Sequence, residues 1–449
     1  MTPSQKHPLQ KILDSRIAII DGAMGTTIRT YGMTEADMRG ERFKNSTKDL
    51  LNNGDLFSLT QPEMICDIHR RFLEAGADIL ETNTFSATSI AQSEFFVDDP
   101  RERGGRKDPA FYQKIIDDDF LSSLACEINE ASARQCREWA DRVSNSTGRQ
   151  RFVAGALGPL TVSLSASPDV DDAGFRVVTF DQVKTAYAQQ ARALIAGGVD
   201  LLLVETIFDS LNAKAALVAL REVFDAQGKE LPVMISAAVG QGGETMISAQ
   251  TIEAFWNAVK HVNPFSVGLN CSLGPDLMYP FLAELAEKSN TAISCYPNAG
   301  LPNPLSPTGF DLEPEDMGNF LSEFAQSNLI NIAGGCCGNT PEHIAAIAQA
   351  LQAQPPRKLW PSAEIKQAPE TKLGAPSILR TLQNGWESAT PETAQTPVAP
   401  LRLPTLHPAA RRLHPDRRAH QRRRFAQIRP PHQGKKVRGG RQRRPPAGG

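Results

Sequence analysis

Eight short apolar runs, each followed by a helix-length stretch, constrain the fold of this chain more than any other feature. They fall at residues 17–20, 78–80, 152–156, 201–204, 233–235, 265–269, 292–295 and 329–333. Val, Ile and Leu are nearly continuous within them, which is the pattern of parallel strands covered on both faces. The intervening stretches carry helical stripes; in residues 62–75, Met64, Ile65, Ile68, Phe72 and Leu73 share one face. Two units repeat the same grammar. Ala75-Gly76-Ala77-Asp78-Ile79-Leu80-Glu81-Thr82 and Gly197-Gly198-Val199-Asp200-Leu201-Leu202, continued to Glu205-Thr206, each end a helix on glycine and lead through Asp into a strand closed by Glu-Thr. Eight such strands predict an α/β fold, a (β/α)8 barrel of TIM type. A doubly wound open sheet is the alternative, but no Gly-x-Gly-x-x-Gly fingerprint follows the first strand.

The rest of the 449 residues divides by composition. The barrel pattern fills residues 1–355, a Pro/Ala/Thr/Glu-rich linker is expected over 356–404, and an Arg/Pro-rich tail over 405–449. Residues 401–449 hold 15 Lys and Arg against the single acid Asp416, a charge of +14; with −2 for the whole chain, residues 1–400 carry −16. The tail has too few aliphatic residues for a core and is expected to be disordered. Its arginines would attract phosphate, so a nucleic-acid-binding protein is one reading, set below a disordered or out-of-frame extension. Residues 98–119, rich in Asp, Arg and Glu, are expected to be a surface excursion after the second strand. Seven cysteines without framework spacing argue for a reducing compartment. With no apolar signal core and no 18-residue apolar run, a soluble, cytoplasmic protein is expected, with no membrane partner.

In a barrel the chemistry sits where the strands end. Strand eight ends in Gly334-Gly335-Cys336-Cys337-Gly338, followed by Asn339-Thr340-Pro341-Glu342, a helix start with Thr340 at the cap. Strand six ends in Gly268-Leu269-Asn270-Cys271-Ser272. A disulfide between adjacent cysteines is strained, so a metal is the better reason for the pair, and Cys271 is the expected third ligand. Each cysteine also has a plain reading: Cys271 alone is an inert buried thiol, and Cys336-Cys337 an oxidised or idle pair. Cys66, Cys126, Cys136 and Cys295 are expected to be packing or surface residues. Three thiolates leave one tetrahedral position open, the mark of a catalytic zinc, and suit a fourth sulfur from substrate better than hydrolysis. The expected reaction is thioether formation on an activated methyl or alkyl group, with the substrate thiolate as nucleophile and no catalytic protein nucleophile. Asp21 and Glu205 are expected to accept from a substrate ammonium. Thr82 and the backbone N–H groups near Gly22 and Ala23 are expected to hold a carboxylate. That makes the substrate a small amino acid bearing a thiol.

These motifs, with Asp21-Gly22-Ala23-Met24-Gly25-Thr26, Glu81-Thr82-Asn83-Thr84-Phe85 and Gly155-Ala156-Leu157-Gly158-Pro159, resemble the homocysteine-binding module of cobalamin-dependent methionine synthase over roughly residues 10–352. The resemblance implies a zinc-bound homocysteine thiolate that takes the methyl group of methylcobalamin to give methionine. It implies zinc ligation by Cys271, Cys336 and Cys337, and amino-acid binding by Asp21, Thr82 and Glu205. Members of that family continue into folate, cobalamin and reactivation domains. Here Asp416-Arg417-Arg418-Ala419-His420-Gln421-Arg422 stands where the folate module is expected to begin, as if read out of frame. Cobalamin is therefore expected on another domain or chain. A stand-alone thiol methyltransferase using betaine or S-methylmethionine is the alternative within enzymes.

Overall fold

The computed structural model describes residues 7–306 and 309–359. Eight parallel strands form the sheet: β1 (Ala18–Ile19), β2 (Ile79–Glu81), β3 (Phe152–Leu157), β4 (Leu201–Ile207), β5 (Val233–Ala237), β6 (Ser266–Asn270), β7 (Ala292–Tyr296) and β8 (Ile332–Ala333). Their order is β1-β8-β7-β6-β5-β4-β3-β2. The remaining seam, β1 against β2, closes through the parallel bridge Ile20–Ile79, with the Asp21 N–H donating to Ile79 O at 3.0 Å and the Asp78 N–H to Ile19 O at 2.7 Å. The chain is a (β/α)8 barrel, and all eight expected strands are present.

The nearly continuous apolar runs divide by parity. Ala18, Ile20, Ile79, Phe152, Ala154, Leu201, Leu203 and Ile332 point inward and fill the barrel. Val153, Leu202, Val204, Ile235, Val267, Leu269 and Ile293 point outward, beneath the helices. A helix that the sequence reading did not anticipate, Pro8–Leu13, stoppers the N-terminal end with Leu9 and Leu13.

The repeated Asp is explained by the strand starts. Asp78 is fully buried; its Oδ2 accepts from Ile19 N–H at 3.0 Å, and Arg16 grips it from 2.6 and 2.8 Å, with Arg151 at 3.1 Å. Asp200 does the same one repeat later, accepting from Val153 N–H at 2.8 Å and Arg137 at 2.6 Å. Each carboxylate thus bonds a backbone N–H of the preceding strand and recruits an arginine.

Two regions differ from expectation. Within 98–119, only the first part is an exposed excursion. Asp108 caps a helix, Pro109–Ile116, that buries Tyr112, Ile115 and Ile116, because these apolar residues recur at helical spacing amid the charges. At the other end, Arg357 lies past the expected barrel boundary yet is buried. Its guanidinium donates to Ala286 O, Ser289 O and Thr291 O, and its own carbonyl accepts from Asn331 Nδ2. Most of the expected linker and all of the tail lie outside the described residues. No described helix is long and apolar enough to cross a membrane.

Candidate active site

The three cysteines of strands six and eight meet above the C-terminal rim. At the end of β6 the backbone turns through Cys271 (φ 58°) and Ser272 (φ 61°), both left-handed, and the Leu273 N–H closes the turn on Cys271 O at 2.7 Å. After β8 the glycines are required by contact. A Cβ on Gly334 would sit 2.6 Å from Ile20 O and 3.0 Å from Asp21 O, both backbone atoms. The cysteine pair is then tied to the strand-seven loop: Cys336 N–H donates to Pro297 O and Ala299 N–H to Cys337 O, both at 2.8 Å. Gly338 (φ 82°) turns the chain towards the helix Pro341–Leu351, its N–H donating to Thr26 Oγ1 at 2.9 Å. Thr340 stands at the N-cap as expected, with its N–H donating to His343 Nδ1.

The sulfurs of Cys271, Cys336 and Cys337 all lie within 4.8 Å of one another, and those of Cys271 and Cys337 are 3.8 Å apart. A tetrahedral zinc with Zn–S near 2.3 Å would separate its sulfurs by about 3.8 Å, so the donor set fits such an ion. Contacts from Cys271 and then Cys336 hold Cys337 down to about 3. Cys336 is pushed well up by Cys271 and Cys337. Cys271 has its thiolate favoured by Cys336 but rises to about 11 through Cys337 and burial. Among the described residues this is the one cluster of three or more Cys, His, Asp or Glu side chains close enough to share a metal ion. Cys295 and Cys136 are buried in the core, and Cys66 and Cys126 lie half-buried elsewhere.

The thiols face a cavity of about 450 Å³, which also receives Asp21, Gly22, Ala23, Glu81, Thr82 and Glu205. All the residues named from sequence therefore converge. Asp21, beyond β1, accepts from the Glu81 N–H with both oxygens, at 3.2 and 3.1 Å. Burial, then the proximity of Glu81, raises its carboxyl well above the usual range. Glu205 on β4 is raised by burial, by Glu81, by Cys271 and by Asp21. Gly22 lies where a Cβ would meet the Phe72 ring at 2.7 Å, and Ala23 begins the helix Met24–Thr30 with no side-chain cap. Thr82 is committed within the sheet. Its Oγ1 accepts from Ala156 N–H at 2.9 Å and lies 2.6 Å from Thr84 Oγ1; since Thr84 donates to Ala156 O, Thr82 is the donor of that pair.

Sequence reasoning missed Glu81 as a site residue. Burial alone raises it to about 8, so it stands with Asp21 and Glu205 as a third carboxyl in one cavity. The signal was the repeat itself, since Glu81-Thr82 and Glu205-Thr206 close equivalent strands. Asp55 was missed as well. It lines the same cavity, its Oδ2 accepting from Ser86 N–H at 3.0 Å, and burial raises it to about 7. A larger cleft of about 780 Å³ between residues 94–112 and 161–177 has no thiol, and its Arg106 and Lys107 are paired with Asp169 and Glu94.

A three-thiol cluster beside buried carboxyls, at the C-terminal mouth of a (β/α)8 barrel, defines a barrel protein with a soft donor set facing a carboxyl-lined cavity. The profile of the homocysteine S-methyltransferase family matches residues 18–351. The chain belongs to that family and is a methyltransferase. Among solved structures it is similar to the homocysteine methyltransferase MmuM from Escherichia coli. The metallated form gives a TM-score of 0.54 at 19% identity, covering 76% of this chain and 99% of that one. The oxidized form gives 0.53 at 18%, covering 77% and 98%.

Proposed function

We propose that this chain is a zinc-dependent homocysteine S-methyltransferase module that produces methionine, with methylcobalamin, carried by another domain or chain, as methyl donor. The observation that carries this reading is the convergence of three sulfurs, spaced for a tetrahedral ion, on the cavity that holds Asp21, Glu81 and Glu205. Cys271, Cys336 and Cys337 would hold zinc, which when bound supplies a Lewis acid that favours the thiolate of homocysteine at neutral pH.

The remaining work falls to the chain's own residues. Asp21 and Glu205 receive the substrate ammonium, and Glu81 adds a third acceptor between them. In the free protein burial raises all three carboxyls above their ordinary range. An arriving ammonium favours their charged form. The N–H groups of Gly22 and Ala23 hold the substrate carboxylate. Thr82, with its hydroxyl already committed to Thr84 and Ala156, shapes that wall from within the sheet. The resulting orientation presents the substrate sulfur to the donor from the open side of the cavity.

The reading is tested with the full chain by zinc content and homocysteine binding, wild type against Cys271→Ser. One zinc per chain is expected in the wild type, with marked loss of zinc and of homocysteine affinity in the variant; unchanged stoichiometry would sink the three-cysteine site. A donor screen with methylcobalamin, S-methylmethionine and betaine decides the methyl source. Turnover with either small donor and none with methylcobalamin would replace the cobalamin part of the proposal.

A further inference from the structure

One carboxamide joins the two halves of the site. Asn270, the last residue of β6, is fully buried. Its Oδ1 accepts from the Thr206 N–H at 3.1 Å and from Ser236 Oγ at 2.7 Å, and its Nδ2 donates to Thr206 Oγ1 at 2.8 Å. It thereby stitches three consecutive strand ends, β4, β5 and β6, with its oxygen and nitrogen in one defined orientation.

The stitch is needed where the ladder fails. β4 pairs with β5 as Val204–Ile235 and then Ile207–Ala237, so three steps on β4 oppose two on β5. The extra residue falls at Glu205-Thr206, and a bulge of this kind re-aims a side chain while leaving backbone groups without ladder partners. Thr206 sits at φ 52°, a costly conformation for a β-branched residue that persists only where the surroundings fix it. Asn270 does so by taking the freed N–H and engaging the hydroxyl. Its immediate neighbour Cys271 is itself left-handed at φ 58°. Thus Glu205 adjoins the strained Thr206 and Cys271 is itself left-handed, and Asn270 holds the first through its side chain and the second as its neighbour in the chain.

We propose that Asn270 is a positioning residue that fixes the separation between the ammonium-binding carboxylate of Glu205 and the metal-binding sulfur of Cys271, and so measures the length of the amino-acid thiol the site accepts. This rests on the homocysteine reading above. A ligand with an ammonium at one end and a sulfur at the other gains most from both subsites when their spacing is held at its own length. Release of the stitch leaves each subsite present but loosens their register.

The test uses the full zinc-loaded chain, wild type and Asn270→Ala, with three probes: L-homocysteine, L-homoserine for the amino-acid end and propanethiol for the sulfur end. Calorimetry gives each affinity, and zinc stoichiometry is measured separately. In Asn270→Ala, one zinc per chain and half-probe affinities within about threefold of wild type are expected, with homocysteine weakened at least about tenfold. Equal weakening of all three probes, loss of zinc, or unchanged homocysteine affinity overturns the proposal. If Asn270→Ala does not fold, Ser236→Ala carries the test, because it removes one of the three bonds. A homocysteine loss of about threefold with intact half-probe binding supports the stitch, and no change refutes it. Failure of the wild type to bind homocysteine defeats the underlying reading instead, and the proposal with it.

Discussion

Glu81 shows how a single residue can serve the site at the expense of the fold. Its carboxyl rises from the ordinary range to about 8 because burial penalises the charge. A carboxyl that binds its proton more tightly when folded contributes least to stability at high pH: the folded state loses stability as pH climbs from the unfolded value, near 4.5, through about 8. Glu81→Gln removes that penalty. The variant is expected to melt higher than wild type at pH 8, by the equivalent of about 1–3 kcal/mol, with little difference at pH 4. Its homocysteine affinity should fall. Thermal melts at both pH values, with and without homocysteine, check the sign; equal melting at pH 8 would show that Glu81 carries no such penalty.

Gly334 makes a steric argument at the same scale. Its absent side chain faces backbone atoms of Ile20 and Asp21, which cannot swing away as a flexible side chain does. Gly334→Ala is expected to cost about 2–3 kcal/mol and to weaken zinc binding, since the displaced segment carries Cys336. Chemical denaturation and a zinc-chelator competition read the two effects separately. A stability loss without a change in zinc affinity would uncouple the glycine from the site.

Among the elements, the β1/β2 seam is the most lightly bridged part of the barrel, and Asp78 reinforces it. That carboxylate satisfies the Ile19 N–H while Arg16, Arg149 and Arg151 surround it at 2.6, 3.6 and 3.1 Å. Removing the one acid leaves three guanidinium groups facing each other, one of them, Arg151, buried. Asp78→Ala is therefore expected to cost about 3–5 kcal/mol, the usual penalty for breaking a buried pair from one side. Asp200→Ala, whose carboxylate and Arg137 are part-exposed, should cost less. Urea denaturation of both variants tests the order, and a larger loss at Asp200 would contradict this account of closure. Both aspartates were visible in the repeated helix–Gly–Asp–strand pattern, but that each bonds the preceding strand was not. The pattern records only spacing along the chain, whereas the bond joins Asp78 to Ile19.

For the molecule as a whole, Arg357 defines where the barrel stops. A residue whose buried guanidinium bonds three carbonyls, and whose own carbonyl accepts from the Asn331 amide, belongs to the fold, although the surrounding Pro and Lys read as linker. A chain ending after Leu359 is expected to fold and to bind zinc and homocysteine as the full chain does. One ending after Gln354, without the clasp, should melt several degrees lower. Equal melting temperatures for the two truncations would place the boundary earlier.

The barrel, its eight strands and the three cysteines are legible along the chain. Strand burial leaves a continuous apolar run, and the cysteines stand directly at strand ends, so both are written locally. Asp21, Gly22, Ala23, Thr82 and Glu205, named from the sequence, line one cavity in the structure. What those residues have left to offer is set by their neighbours in the folded barrel. Thr82 spends its hydroxyl on Ala156 and Thr84, Glu81 turns into the cavity, and Asn270 reaches across β5 to Thr206. The physical reason is that hydrogen bonds and desolvation depend on neighbours brought together by barrel closure, tens of residues away in sequence, while strand and motif patterns depend on neighbours along the chain.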